Sequence, residues 1–202
     1  MKRGVILVVS GPAGSGKGTV CRILRESGAF AVSVSRTTRK PRPGEVDGKD
    51  YIFIDKDEFR RLLDEGDFIE YNVYCDEYYG TPKKATEEII AKGMNVILEI
   101  DVNGGAQVKR QCPDAVLVML MPPTFSEQER RLRGRGTETE DKIQSRLAQT
   151  RLELDELKHY DYIVYNYTDE TQRAADELMA IANAEKCSVR RNPDAKAKYF
   201  EC

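Results

Sequence analysis

The run Gly11-Pro12-Ala13-Gly14-Ser15-Gly16-Lys17-Gly18-Thr19 lies directly after an apolar segment, residues 5–9, and directly before the helical spacing of Val20, Ile23 and Leu24. Glycines let successive backbone N–H groups curl around an anion, and the N-terminus of the helix that follows adds positive dipole. Lys17 adds a point charge placed for the β- and γ-phosphates of a nucleotide. A strand, a phosphate-cradling turn and a helix in that order belong to a βα unit, which commits the chain to a sheet with the loop at its carboxyl edge. The other reading, a glycine-rich turn without a ligand, leaves the lysine unexplained. Gly18 stands where the strict pattern has Ser or Thr, and Thr19 is the nearest substitute for a hydroxyl contact to Mg²⁺.

Four further segments read as strands, residues 31–34, 95–100, 115–121 and 162–165, mostly short apolar runs without clean alternation. Such runs suit a parallel sheet covered on both faces. Helical patterns lie between and after them: Ile143, Leu147, Thr150, Leu154 and Leu157, then Ala174, Ala175, Leu178, Ile181 and Ala182. The alternation predicts a doubly wound α/β core with a five-stranded parallel sheet. At 202 residues, 40% of them hydrophobic, the chain can bury one main core.

Two stretches interrupt the alternation. Residues 37–92 carry Pro41, Pro43, Gly44 and Gly48, an aromatic alternation at Tyr51 and Phe53, and a short helix with Asp57 at its start and Gly66 at its end. They predict an inserted lobe on a core made of residues 1–36 and 93–189. Within that core the polar, glycine-punctuated residues 133–141 predict a surface lid, and residues 190–202 a polar, loosely ordered tail. The apolar segment before Glu99 and Asp101 should bring both carboxylates to the carboxyl end of its strand. There Asp101 can hold Mg²⁺ through water while Glu99 faces an acceptor, or the two simply cap the helix that begins near Asn103.

The remaining features exclude classes. No apolar run reaches the roughly 20 residues of a membrane span, and no cleavable signal pattern opens the chain, so an internal, cytoplasmic protein with no membrane partner is expected. Five scattered cysteines without a CxxC pair predict reduced thiols rather than a disulfide framework or a zinc site. A net charge of −2 offers no global field for nucleic acid, so attraction for phosphate must be local. His159, the one histidine, reads as a surface or packing residue. Nothing in the sequence specifies an oligomeric state.

The segments Ser33-Val34-Ser35-Arg36-Thr37-Thr38-Arg39-Lys40-Pro41-Arg42-Pro43-Gly44-Glu45 and Asp47-Gly48-Lys49-Asp50-Tyr51 resemble the signature of guanylate kinases. Residues 65–71, Tyr78-Tyr79-Gly80-Thr81, residues 97–101, Gly134-Arg135-Gly136-Thr137-Glu138-Thr139 and Arg146 resemble that family too, in the family's order. The resemblance spans residues 4–184 and implies a P-loop nucleoside monophosphate kinase that moves the γ-phosphoryl group of ATP to GMP with Mg²⁺. By position it implies that Arg39, Arg42, Tyr51 and Tyr79 hold the GMP phosphate and that Ser35, Glu70 and Thr81 address guanine. Arg135 and Arg146 would reach the ATP phosphates from the lid side. Alone, the basic run from Arg36 to Arg42 reads equally as a solvated face, Tyr78 and Tyr79 as packing residues, and Glu70 as the outward residue of a short strand. A kinase for another nucleoside monophosphate would share the loop but not the guanine-directed set. A scaffold domain that had lost catalysis could dispense with Lys17, Arg135 and Arg146.

Overall fold

The structure, a computed structural model, describes residues 2–134, 136 and 139–201. Its first strand, β1 (Ile6–Ser10), is buried along its whole length. Successive side chains of a strand point to opposite faces, so this strand feeds two cores. Val5, Leu7 and Val9 pack with Val20, Leu24, Ala174 and Leu178, while Ile6 and Val8 pack with Val96, Leu98 and Val108. Helix α1 (Lys17–Glu26) starts at the loop lysine, and its cap residue Gly16 has φ 87°. That left-handed backbone suits glycine, and a β-carbon there would also collide with the side-chain amide of Asn166. Strand β2 (Phe30–Ala31) ends earlier than its apolar run predicts, because the chain leaves the sheet to bury Ser33, whose hydroxyl accepts from that of Thr86 at 2.9 Å.

The expected lobe contains a second sheet. Strands β3 (Arg36–Thr37) and β4 (Ile52–Phe53) precede helix α2 (Lys56–Asp64), and the hairpin β5 (Phe68–Tyr74) and β6 (Glu77–Pro82) follows, giving the order β4-β3-β6-β5. The hairpin turns at Cys75 and Asp76, both at positive φ, the geometry that matches strand twist in two-residue turns. Asp57 sits in the first turn of α2, as expected, and Asp55 caps the helix: it is extended and its carboxylate accepts the Glu58 N–H at 2.7 Å. Phe59, Leu62 and Phe68 form the lobe's own core, with the rings of Phe59 and Phe68 stacked at 4.4 Å.

Helix α3 (Lys83–Ala91) returns the chain to the main sheet, where Ile90 packs with Val96 and Val108. Then come β7 (Asn95–Glu99), α4 (Val102–Gln111), β8 (Val116–Met121), α5 (Phe125–Gly134), α6 (Glu140–Asp155), β9 (Tyr162–Tyr165), α7 (Thr171–Cys187) and the short tail helix α8 (Ala195–Phe200). The main sheet has the order β2-β7-β1-β8-β9 with every pairing parallel, so all five expected strands are present. The connection after β1 runs to β2 on one side of the sheet and that after β8 runs to β9 on the other, so a crevice opens at the carboxyl ends of these neighbouring strands.

The polar stretch at 133–141 joins α5 to α6, with Arg133 paired to Glu140; Arg135, Thr137 and Glu138 lie outside the described residues. Among the described residues no helix is long and apolar enough to cross a membrane. Since Phe59 is fully buried in a small, separate cluster, Phe59→Ala should cost about 3 kcal/mol of stability. Urea denaturation followed by circular dichroism checks this, and a loss below about 1 kcal/mol would contradict the packing described.

Candidate active site

The glycine-rich loop bounds a cavity of about 280 Å³ lined by residues 12–19 together with Glu99 and Arg146. The ammonium of Lys17, first residue of α1, donates to the carbonyl of Gly11 and lies 3.3 Å from that of Pro12, so it curls over the loop from the helix start. Arg146 reaches the cavity from α6, far along the chain from the loop's own βα unit. Cation, helix dipole and free-swinging glycine backbone thus converge on one concavity, as polyphosphate binding requires.

Beside it lies a second cavity of about 220 Å³, lined by Ser35, Tyr51, Glu70, Asn72, Tyr79, Gly80, Glu99, Ile100 and Asp101. Glu99 belongs to both, so the two cavities meet across one side chain at the end of β7. Glu70 is no outward strand residue: it is 7% exposed and accepts from the Thr81 hydroxyl at 2.5 Å, with Thr81 itself 1% exposed. Burial pushes the Glu70 carboxyl above the usual carboxylate range, Thr81 opposes the shift and the charge of Asp101 adds to it. Such a group holds its charge best when donors are brought to it.

A bulge puts Glu70 there. Phe68 faces Pro82 in the β5–β6 ladder and Glu70 faces Thr81, which leaves Ile69 without a partner between them. The extra residue lets one strand serve three environments: Phe68 enters the lobe core, Ile69 the main core and Glu70 the cavity. Behind Glu70 stands Gly104 of α4, where a β-carbon would lie 3.2 Å from the carboxylate. Close approach of helix and carboxylate therefore depends on glycine.

The two tyrosines separate in role. Tyr78 packs on Phe59 at 5.2 Å, whereas Tyr79 stands edge-on to Tyr51 at 6.0 Å in the cavity wall. Arg39 and Arg42 do not line the cavity. The Arg39 guanidinium lies over Tyr51 at 5.5 Å and makes a two-pronged pair with Glu45 at 2.8 and 3.0 Å. Arg42 is exposed, and its backbone N–H also reaches Glu45 at 2.7 Å. Arg39 first, then that N–H, hold the Glu45 carboxyl below its ordinary range. The basic run is therefore partly neutralised by its own acidic neighbour.

For Asp101 the capping alternative holds: it caps α4, with one oxygen accepting the Gly104 N–H at 2.8 Å and the other the Asn72 amide at 3.0 Å. It also lines the second cavity, so a hard cation brought by phosphates would find the Asp101 carboxylate and the exposed Thr19 hydroxyl on either side of Glu99. Oxygen donors spread around a crevice, rather than caged, fit a divalent ion that keeps water and phosphate ligands.

A third cavity, about 310 Å³, opens on the other side of the loop between Gly14, Gly16 and Thr19 and the segment Asn166 to Thr171, with Arg130 and Arg131. Sequence reasoning passed over it. Arg131 donates to the Asn166 carbonyl at 2.9 Å and to Glu127 at 2.8 Å, and the Asn166 amide donates to the Ser15 carbonyl at 2.8 Å. The missed signal was the polar Asn166 placed just after the strand of residues 162–165, where parallel sheets gather ligand groups. Among the described residues, Cys21, Cys75, Cys112, Cys187 and His159 stand apart from all three cavities: Cys21 is a buried thiol whose pKa burial pushes up to about 12, and His159 is exposed 3.9 Å from Glu156.

Residues 3–184 match the family model described as guanylate kinase. The chain is 44% identical to the guanylate kinase of Clostridioides difficile strain 630, over 100% of this chain and 98% of that one. It is 46% identical to that of Lactobacillus acidophilus, over 98% of each. The crystal structure of guanylate kinase from Anaplasma phagocytophilum resembles it with a TM-score of 0.72 at 33% identity, covering 95% of this chain and 90% of the other. Kinases of this kind work on ATP with a divalent metal ion. With a glycine-rich phosphate loop meeting a carboxylate-lined cavity at Glu99, on a parallel sheet carrying an inserted lobe, the chain belongs to the guanylate kinase family, the phosphotransferases that pass the γ-phosphoryl group of ATP to GMP.

Proposed function

We propose that the loop cavity receives the ATP phosphates, the Glu70 cavity receives GMP, and transfer takes place across the side chain of Glu99 that both share. That shared wall is the observation that carries the reading, because in-line transfer needs donor and acceptor phosphates in contact. On the donor side, the backbone of Gly11 to Thr19 and the Lys17 ammonium hold the β- and γ-phosphates, with Arg135 and Arg146 reaching in from the lid of residues 133–141. The cleft by Arg131 and Asn166 takes the donor nucleoside, which must leave the loop on the side away from the acceptor. Thr19 and Asp101 would hold Mg²⁺, partly through water, and the ion would supply neutralisation of phosphate charge.

On the acceptor side, the lobe of residues 37–92 holds GMP, and Glu70, Ser35 and Thr81 read its base. An ionised carboxylate accepts two hydrogen bonds in one plane, from N1–H and the exocyclic amino group of guanine. Tyr51 and Tyr79 offer hydroxyls to the acceptor phosphate, and Arg39 and Arg42 offer charge, Arg39 exchanging Glu45 for phosphate oxygens. No residue has to remove a proton: the second pKa of a phosphate monoester is about 6, so the attacking oxygen is already ionised near neutrality. Closure of lobe and lid on the core of residues 1–36 and 93–189 keeps water from the γ-phosphate. The acidic net charge and the localised basic groups support a cytoplasmic enzyme that binds nucleotides rather than nucleic acid or membrane.

Purified protein should form GDP from GMP and ATP only when Mg²⁺ is supplied, and chelation should stop it; chromatography of the products is the check, and no GDP from folded protein would sink the assignment. Lys17→Ala should lower kcat by ~10²-fold or more, since the ammonium meets charge that builds in transfer. An unchanged kcat would remove the loop from the reaction. Glu70→Ala should lower kcat/KM for GMP by about 2 to 3 kcal/mol in transition-state terms while AMP use stays level or improves. A preserved GMP to AMP ratio would place base recognition elsewhere.

A further inference from the structure

Strand β5 is an outer strand of its sheet, and an outer strand has backbone groups with no ladder partner. At Tyr71 a single side chain of the main core takes both. The Tyr71 N–H donates to Gln107 Oε1 at 3.1 Å, and Gln107 Nε2 donates to the Tyr71 carbonyl at 2.9 Å. A primary amide presents a donor and an acceptor side by side, so Gln107 stands in for a neighbouring strand at one residue of β5.

That residue follows Glu70 directly. Asp101, Gly104 and Gln107 recur every third position at the start and along one side of α4, and they meet β5 at consecutive residues. Asp101 takes the Asn72 amide, Gln107 takes the Tyr71 backbone, and Gly104 backs the Glu70 carboxylate. The ladder with β6 is a poor guide to Glu70, because the register slips between Phe68 and Glu70. The contact that fixes the height of the strand over α4 just past the slip is the Gln107 amide.

We infer that Gln107 is a positioning residue for base recognition, clamping β5 to α4 so that the Glu70 carboxylate stands at the depth where guanine meets it. This rests on the reading of Glu70 given above. Gln107 touches no substrate in it and acts through strand and carboxylate.

The test is steady-state kinetics of the full chain with GMP and with IMP, which lacks the exocyclic amino group, for the wild type, Gln107→Met, Glu70→Ala and the double variant. Amide hydrogen exchange at Tyr71 is measured alongside. Methionine keeps the length and packing but neither hydrogen bond. Gln107→Met should raise KM for GMP about tenfold, leave kcat and KM for ATP within about twofold, lower the preference for GMP over IMP and speed exchange at Tyr71. In the double variant the preference should fall no further than in Glu70→Ala. If Gln107→Met melts without cooperativity, Gln107→Glu, which keeps the acceptor for the Tyr71 N–H, should give an intermediate loss in the same comparison. A preference unchanged in the Gln107 variants but lost in Glu70→Ala would overturn the clamp and leave the base reading standing. A further fall in the double variant would show that Gln107 does not act through Glu70. A preference unchanged in Glu70→Ala would overturn the base reading, and the clamp with it.

Discussion

Burial of β1 on both faces is the constraint from which the rest of the architecture follows. A strand with no exposed residue must have neighbours on each side and helices above and below. Its odd-numbered side chains claim α1 and α7, its even-numbered ones claim α3 and α4, and β7 and β8 flank it. The carboxyl end of such a strand is where a loop can open onto a crevice, and there the chain places four glycines and a lysine. Glu99 and Asp101, at the end of neighbouring β7, reach the same crevice for the same reason.

The second determinant is the sharing of β5 between lobe and core. Phe68, Ile69 and Glu70 are adjacent in sequence but belong to three environments, which a regular strand with its period of two could not arrange. The bulge supplies the extra residue. One consequence is mechanical: the lobe is not hung on a linker alone, because its outer strand is inserted into the hydrophobic cluster of the core at Ile69 and tied to α4 by side-chain amides. The Glu70 carboxylate, which lines the second cavity, sits beside that anchor.

Charge in the site is sorted by location rather than by total. The chain is slightly acidic, yet the loop cavity gathers Lys17, Arg146 and a helix N-terminus, while the adjoining cavity gathers Glu70, Glu99 and Asp101. A nucleotide is itself so divided, anionic at its phosphates and rich in donors along one edge of guanine, so neighbouring basic and acidic cavities complement it better than a uniform field. The pairing of Arg39 with Glu45 fits the same economy. A guanidinium held by a carboxylate over an aromatic ring is already ordered.

Much of this was legible beforehand, and unevenly so. The five main strands announced themselves as apolar runs, because the central ones, β1, β7 and β8, are buried on both faces; residues 162–165 were bounded to the residue although only Val164 of that strand is buried. Strands β3 and β4 did not, since two residues carry no periodicity. The phosphate loop is a contiguous motif, so composition and context sufficed for it. The second cavity draws on Ser35, Tyr51, Glu70, Tyr79 and Glu99, scattered over the chain; Glu99 was legible from its place at the end of an apolar strand, and the other four were reachable only through resemblance. By itself the sequence determined the local chemistry and the alternation of strand and helix, because both are encoded in neighbouring residues. Only the tertiary structure decided that Asp101 caps a helix while lining a cavity, that Glu45 occupies Arg39 and that Gln107 pairs with the backbone of Tyr71, because each depends on packing between segments that the sequence keeps apart.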